Sequence, residues 1–260
     1  MYAIRPLAIL IAAAGLGTVG CSFSYAAAGP AGATSAAGQQ AMSTSSNWAG
    51  YVATGTRFRH VSAEFTVPSV NCGQMQGHAG PRGAAFWVGL GGFTGAPLGQ
   101  DGVAAVCILG QARYYAWYEN LPAGEVVLPG FAVRPGASIT ASVSYDSATR
   151  TFTFRLVNNS TGQRGKWHGG CPHGKVCATS AEVITEAALF AGKITQLANY
   201  GSAVYEHIAV TDQAGARSGL FSRHWSTIEV AQQYDGRQVD VPGSARAGGR
   251  VFATRWIKEG

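Results

Sequence analysis

The stretch from Ser180 to Ala187 reads Ser-Ala-Glu-Val-Ile-Thr-Glu-Ala. Side chains alternate along a strand, so Glu182, Ile184 and Glu186 share one face and Ala181, Val183 and Thr185 the other. Acids are scarce, with 13 Asp and Glu in 260 residues. Two carboxylates on one strand face either meet water or build a site. In a site, a carboxyl group can take a proton from water as a base and return it as an acid, which hydrolysis of a peptide or glycosidic bond needs. A second stretch adds to the first. In Tyr114-Tyr115-Ala116-Trp117-Tyr118-Glu119, alternation brings Tyr115, Trp117 and Glu119 together. Trp87 faces away from Phe86 and Val88, and Trp48 sits in Ser46-Asn47-Trp48-Ala49-Gly50. Aromatic residues beside a carboxylate describe a groove for an extended polymer, either peptide or sugar; filling of the core is the alternative for each tryptophan.

The elements that must carry these residues are strands. Helical periodicity is nearly absent, glycine is frequent at 36 residues, and β-branched and aromatic residues recur in short alternating runs. That pattern is an all-β sandwich or barrel. Strands are predicted at 48–54, 58–67, 84–90, 113–120, 138–145, 151–158, 181–186, 203–211, 227–233 and 250–257. The clearest hairpin joins Ile139–Tyr145 to Thr151–Val157 through a turn at Asp146–Thr149. No internal repeat or second domain is visible, and residues 45–260 fit one domain.

The start of the chain reads as export machinery. Arg5 precedes an uncharged apolar run, Leu7 to Gly20, too short to span a bilayer, and Ala26-Ala27-Ala28 gives an A-x-A cleavage pattern. Residues 1–28 are thus expected to be a signal peptide and 29–44 a flexible leader or short propeptide. The alternative is a lipoprotein acylated at Cys21. No later segment is apolar enough for a membrane span. Four other cysteines, Cys72, Cys107, Cys171 and Cys177, suit two bridges in an oxidising compartment. The short Cys171–Cys177 segment favours a local bridge, which leaves Cys72 with Cys107. His168 and His173 lie nearby, but the spacing matches no standard zinc pattern; no metal and no cofactor are expected. Basic residues are scattered, so no stripe for nucleic acid is read. The expected protein is a secreted monomer.

Several motifs then converge in order: Ser45-Ser46-Asn47-Trp48-Ala49-Gly50-Tyr51, Glu64-Phe65-Thr66-Val67-Pro68, Trp87-Val88-Gly89-Leu90-Gly91-Gly92, Gln100, Tyr115-Ala116-Trp117-Tyr118-Glu119 with Pro122 behind it, and Ala181–Glu186. The set resembles the glutamic peptidases called eqolisins, the G1 family. The resemblance implies a sandwich of two antiparallel sheets, one curved around a substrate groove, concanavalin- or jelly-roll-like. It implies polypeptide substrates and a catalytic pair of Gln and Glu. The Gln of the family's L-Q-T-G segment falls on Gln100, with one residue inserted after Leu98, and the second acid of A-E-W-I-V-E falls on Glu186. The groove tryptophans match Trp48 and Trp87, and Trp117 and Glu119 resemble neighbouring groove residues. Departures are Gly91 and Val183, where the family has Asp and Trp, and a basic chain where the fungal relatives are acidic.

The residue types suit this chemistry. A Glu can serve water as base and the leaving amine as acid, and a Gln amide can donate to the oxyanion without titrating in acid. With an ordinary carboxylate as base, an optimum in mild acid is expected, since full protonation of the acids and six His would load the chain with positive charge. Glu182, four residues or about 13 Å along the strand, is expected to be a neighbour rather than a participant. Gln100 is expected on a loop. A β-sandwich glycoside hydrolase using Glu119 and Glu186, and a carbohydrate-binding sandwich without catalysis, are the alternatives.

Overall fold

The Ile139–Val157 hairpin illustrates how this chain folds. Isoleucine, valine and phenylalanine alternate with hydroxyl residues, so each strand has one face for the core and one for water. In the computed structural model Ile139, Ala141, Val143, Phe152, Phe154 and Leu156 are fully buried. Asp146 closes the turn: its Oδ1 accepts hydrogen bonds from the backbone N–H of Ala148 at 2.8 Å and of Thr149 at 3.2 Å.

The structure describes residues 41–73, 82–93, 95–187, 189–190 and 193–258. The signal peptide and residues 29–40 of the leader lie outside these. The strands are β1 (Ala41–Ser45), β2 (Trp48–Thr54), β3 (Phe58–Thr66), β4 (Arg82–Leu90), β5 (Gly99–Ile108), β6 (Gln111–Asn120), β7 (Ala123–Val127), β8 (Ser138–Asp146), β9 (Thr151–Asn158), β10 (Gln163–Gly170), β11 (Ala181–Glu186), β12 (Leu189–Phe190), β13 (Lys193–Ile194), β14 (Gln196–Leu197), β15 (Ser202–Asp212), β16 (Arg217–Ser218), β17 (Ser226–Tyr234), β18 (Arg237–Pro242) and β19 (Phe252–Trp256). One layer runs β1-β17-β2-β11-β4-β5-β6-β7. The other runs β18-β19-β15-β3-β8-β9-β10. The hairpin between β17 and β18 hands the pairing from one layer to the other, with Gln232 opposite Asp240. Among the described strands, neighbours are antiparallel except β1, which lies parallel to β17, and the short β14, which lies parallel to β4.

Two corrections follow. Residues 41–44, expected in the flexible leader, lie in β1, because their backbone pairs with β17 from Ala41 opposite Ile228 to Ser45 opposite Gln232. Gln100, expected on a loop, lies in β5. The disulfides pair Cys72 with Cys107 and Cys171 with Cys177. The main core fills the space between the layers and includes Tyr51, Phe65, Phe86, Val88, Phe154 and Tyr205. A second apolar cluster lies on the other face of the first layer, built from Val52, Ala85, Trp87, Leu98, Ala104, Trp117, Ile184 and Val230. β4 and β11 are therefore buried along their whole length, on both faces.

Candidate active site

Register places the predicted residues on that second face. Glu186 lies opposite Trp48 of β2 on one side and Ala85 of β4 on the other. Ile184 lies between Gly50 and Trp87, and Glu182 between Val52 and Gly89. Across β4, Trp87 is opposite Gly102 and Gly89 is opposite Gln100. Across β5, Gly102 is opposite Trp117 and Gln100 is opposite Glu119. All six proposed site residues thus share one face of one sheet. Gly102 makes this possible: a Cβ there would meet the backbone oxygen of Phe86 at 2.2 Å and Trp87 Cβ at 2.7 Å. Only glycine lets β5 pass so close to Trp87.

Glu186 is 7% exposed, and its carboxyl is surrounded by donors. Trp87 Nε1 donates to Oε2 at 2.8 Å and Asn47 Nδ2 donates to Oε1 at 2.5 Å. The Trp48 side chain also favours the ionised form, and its ring meets Trp87 edge to face at 5.0 Å. Burial pushes the Glu186 carboxyl up to about 8 and the Glu119 charge adds to this, while the donors pull the other way. Gln100 is held from the far side: its Nε2 donates to Glu119 Oε2 at 2.6 Å, and its Oε1 is buried without a partner among the described residues. Trp117 Nε1 is likewise buried without a partner. Burial raises Glu119, and the bond from Gln100 opposes that rise. Glu125, beyond Glu119, is pushed up to about 7 by partial burial and by the Glu119 charge, although its side chain keeps contact with solvent.

The structure departs from the sequence reading at several of these residues. The strand face with two carboxylates is not solvated: Glu182 is 0% exposed. In register Glu182 shares the row of Gln100, two strands away across Gly89, whereas Glu186 is four residues further along. Environment, rather than row, separates the two acids. Among the described residues neither Glu182 oxygen has a well-formed hydrogen bond, and burial holds its carboxyl well above the usual range, opposed by Ser180 and by the Phe93 backbone. Trp87 and Trp117, matched to groove residues, are buried in this face, and Trp48 keeps partial exposure. Nothing in the sequence marks Asn47, whose amide reaches Glu186 across 139 positions of chain.

A family model described as the Peptidase A4 family matches residues 46–245. The chain belongs to that family. This shows the eqolisin resemblance at the level of the family. The chain is 31% identical over 184 residues to Aspergillopepsin-2 of Aspergillus niger, and the match spans 64% of each chain's length. Among solved structures, scytalido-glutamic peptidase with a transition-state analogue inhibitor has a TM-score of 0.68 at 24% identity, covering 82% of this chain and 98% of that one. SCP-B, an eqolisin in complex with the tripeptide Ala-Ile-His, has a TM-score of 0.63 at 23% identity, covering 82% and 98%. Aspergilloglutamic peptidase from Aspergillus niger has a TM-score of 0.59 at 24% identity, covering 67% and 99%. These structures share the fold of this chain, a β-sandwich.

Proposed function

We propose that this protein is a glutamic endopeptidase in which Glu186 and Gln100 hydrolyse peptide bonds. The observation that carries this reading is the contrast between two acids on one strand. Among the described residues Glu182 is sealed in without a well-formed hydrogen bond, whereas Glu186 is held by two donors, Asn47 and Trp87, within reach of the Glu119 charge. Buried polar atoms without partners are costly, and a bound peptide backbone can satisfy Trp117 Nε1 and Gln100 Oε1.

Glu186 keeps its proton throughout the acid range, because its value lies near 8. A protonated carboxyl can still act twice. Its bare oxygen accepts the proton of the attacking water while its O–H donates to the carbonyl oxygen, and the tetrahedral intermediate forms. The proton taken from water then passes to the departing nitrogen as the C–N bond breaks, and Glu186 recovers its own from the intermediate. Gln100 has two N–H donors; one goes to Glu119, and the other can polarise the same carbonyl oxygen and stabilise its partial charge before the Glu186 proton arrives. Activity then requires the protonated form, so it is broad in acid and falls as pH rises past about 8.

Secretion fits the two disulfides, and among the described residues no helix is long and apolar enough to cross a membrane. The test is digestion of a denatured protein by the wild type, Glu186→Gln and Gln100→Ala between pH 3 and 8. Loss of cleavage in both variants supports the pair. Release of reducing sugar from a polysaccharide, with no peptide cleavage, favours a glycosidase instead.

A further inference from the structure

We infer that Asn47, oriented by Ser45, is a positioning residue for Glu186, and that strand β1 is therefore a working part of the site. This rests on the catalytic reading of Glu186.

An Asn side chain can offer either its oxygen or its nitrogen, and only the nitrogen suits a carboxyl that must accept. Ser45 fixes the choice. Its Oγ accepts from the backbone N–H of Asn47 at 3.3 Å and of Trp48 at 3.2 Å. Those bonds use the lone pairs of the hydroxyl, so its single proton is left for Asn47 Oδ1, which lies 3.2 Å away. With Oδ1 engaged, Nδ2 faces Glu186 Oε1 at 2.5 Å. The Asn47 backbone clamps the same place from behind, since its carbonyl accepts the N–H of Ala187 at 2.9 Å. Asn47 is thus bonded to Glu186 and to the residue that follows it.

Ser45 is the last residue of β1, and among the described residues β1 pairs along one side, parallel to β17. Gln232 of β17 also donates to the Ser46 carbonyl at 3.2 Å. A strand on the edge of the layer therefore sets the direction of the amide that touches Glu186. The other groups that face Glu186 are Trp48 from β2, Trp87 from β4 and Glu119 from β6, and Glu119 is the charged one among them. Asn47 is a neutral donor that favours the ionised carboxyl, so its loss moves the protonation of Glu186 to higher pH.

The test compares wild type, Asn47→Leu and Ser45→Ala in kcat/KM across pH 4 to 9, with folding at each pH followed by circular dichroism. Asn47→Leu should lower the acid plateau about tenfold through lost orientation. It should also move the alkaline limb up by about one pH unit. Ser45→Ala should move the limb the same way by less, because Asn47 remains but its amide is free to turn. A lower rate at every pH with an unmoved limb in both variants would mean that Asn47 is merely structural and would overturn the inference. Glu186→Gln separates the two readings. If it retains activity, the catalytic assignment fails. If it is inactive while the Asn47→Leu limb stays in place, only the role of Asn47 fails.

Discussion

Replacing Glu186 by Gln should remove catalysis and, at neutral pH, make the protein more stable. The group is nearly fully buried, and its pKa is raised from 4.5 in a free carboxyl to about 8 in the fold. A raised carboxyl pKa means that the folded state holds a proton that the unfolded state has lost. Its stabilising share is complete below about 4.5 and is lost as pH rises towards about 8. At pH 7 the gap between pH and the free value costs about 3 kcal/mol, at 1.36 kcal/mol per unit. Glutamine has no such cost. It does present an N–H where Asn47 and Trp87 both donate, which forfeits about 1–2 kcal/mol of hydrogen bonding. Glu186→Gln should thus be about 1–2 kcal/mol more stable than wild type at pH 7, a rise of a few degrees in Tm. At pH 4 it should be no more stable than wild type. Peptide cleavage should fall by about 10³-fold or more, since both proton transfers are lost. Thermal unfolding at pH 4 and pH 7, with a cleavage assay on the same samples, measures all of this. Activity within tenfold of wild type, or the same change in Tm between pH 4 and pH 7 for both proteins, would refute the reasoning.

Other perturbations separate structure from chemistry. Glu182→Gln should keep most of the peptidase activity and raise Tm at neutral pH, because burial disfavours the ionised carboxyl and an amide carries no such cost; inactivation of a folded variant would exchange the roles of the two acids. Gly102→Ala forces a Cβ to 2.2 Å from the Phe86 carbonyl oxygen, so loss of about 2 kcal/mol or more is expected by thermal unfolding. Tyr200→Phe removes the 2.6 Å bond to the buried Asp240, whose pKa is pushed up to about 7 by burial. That loss should cost about 1–3 kcal/mol, and more at pH 8, where Asp240 is ionised, than at pH 5; an equal loss at both values would contradict the assignment.

The fold was legible wherever alternation was clean. The Ile139–Val157 hairpin shows it, with an Asp in the turn, and so does β11. β5 was not legible, because Gly99 and Gly102 lower strand propensity while packing under Trp87 and Phe152 requires them. β10 was missed for a related reason: Gly165, Gly169 and Gly170 interrupt a polar edge strand. Alternation assigned Glu182 and Glu186 to one face but could not say that the face is covered. The cover is a second apolar cluster assembled from β2, β4, β5, β6, β11 and β17, with Leu98 from the loop before β5. The raised pKa of Glu186 follows from that cover, which alternation alone does not reveal. Asn47 was hidden because its bond to Glu186 depends on two strands meeting in register.

The most direct measurement is cleavage of a denatured protein at pH 4 by folded Gln100→Ala beside wild type, with products identified by mass spectrometry and pepstatin present. Wild type should cut peptide bonds unaffected by the inhibitor, and Gln100→Ala should be slower by about 10²–10³-fold, the usual cost of one oxyanion donor. Cleavage by Gln100→Ala at the wild-type rate, or wild-type activity abolished by pepstatin, would contradict the pairing of Gln100 with Glu186.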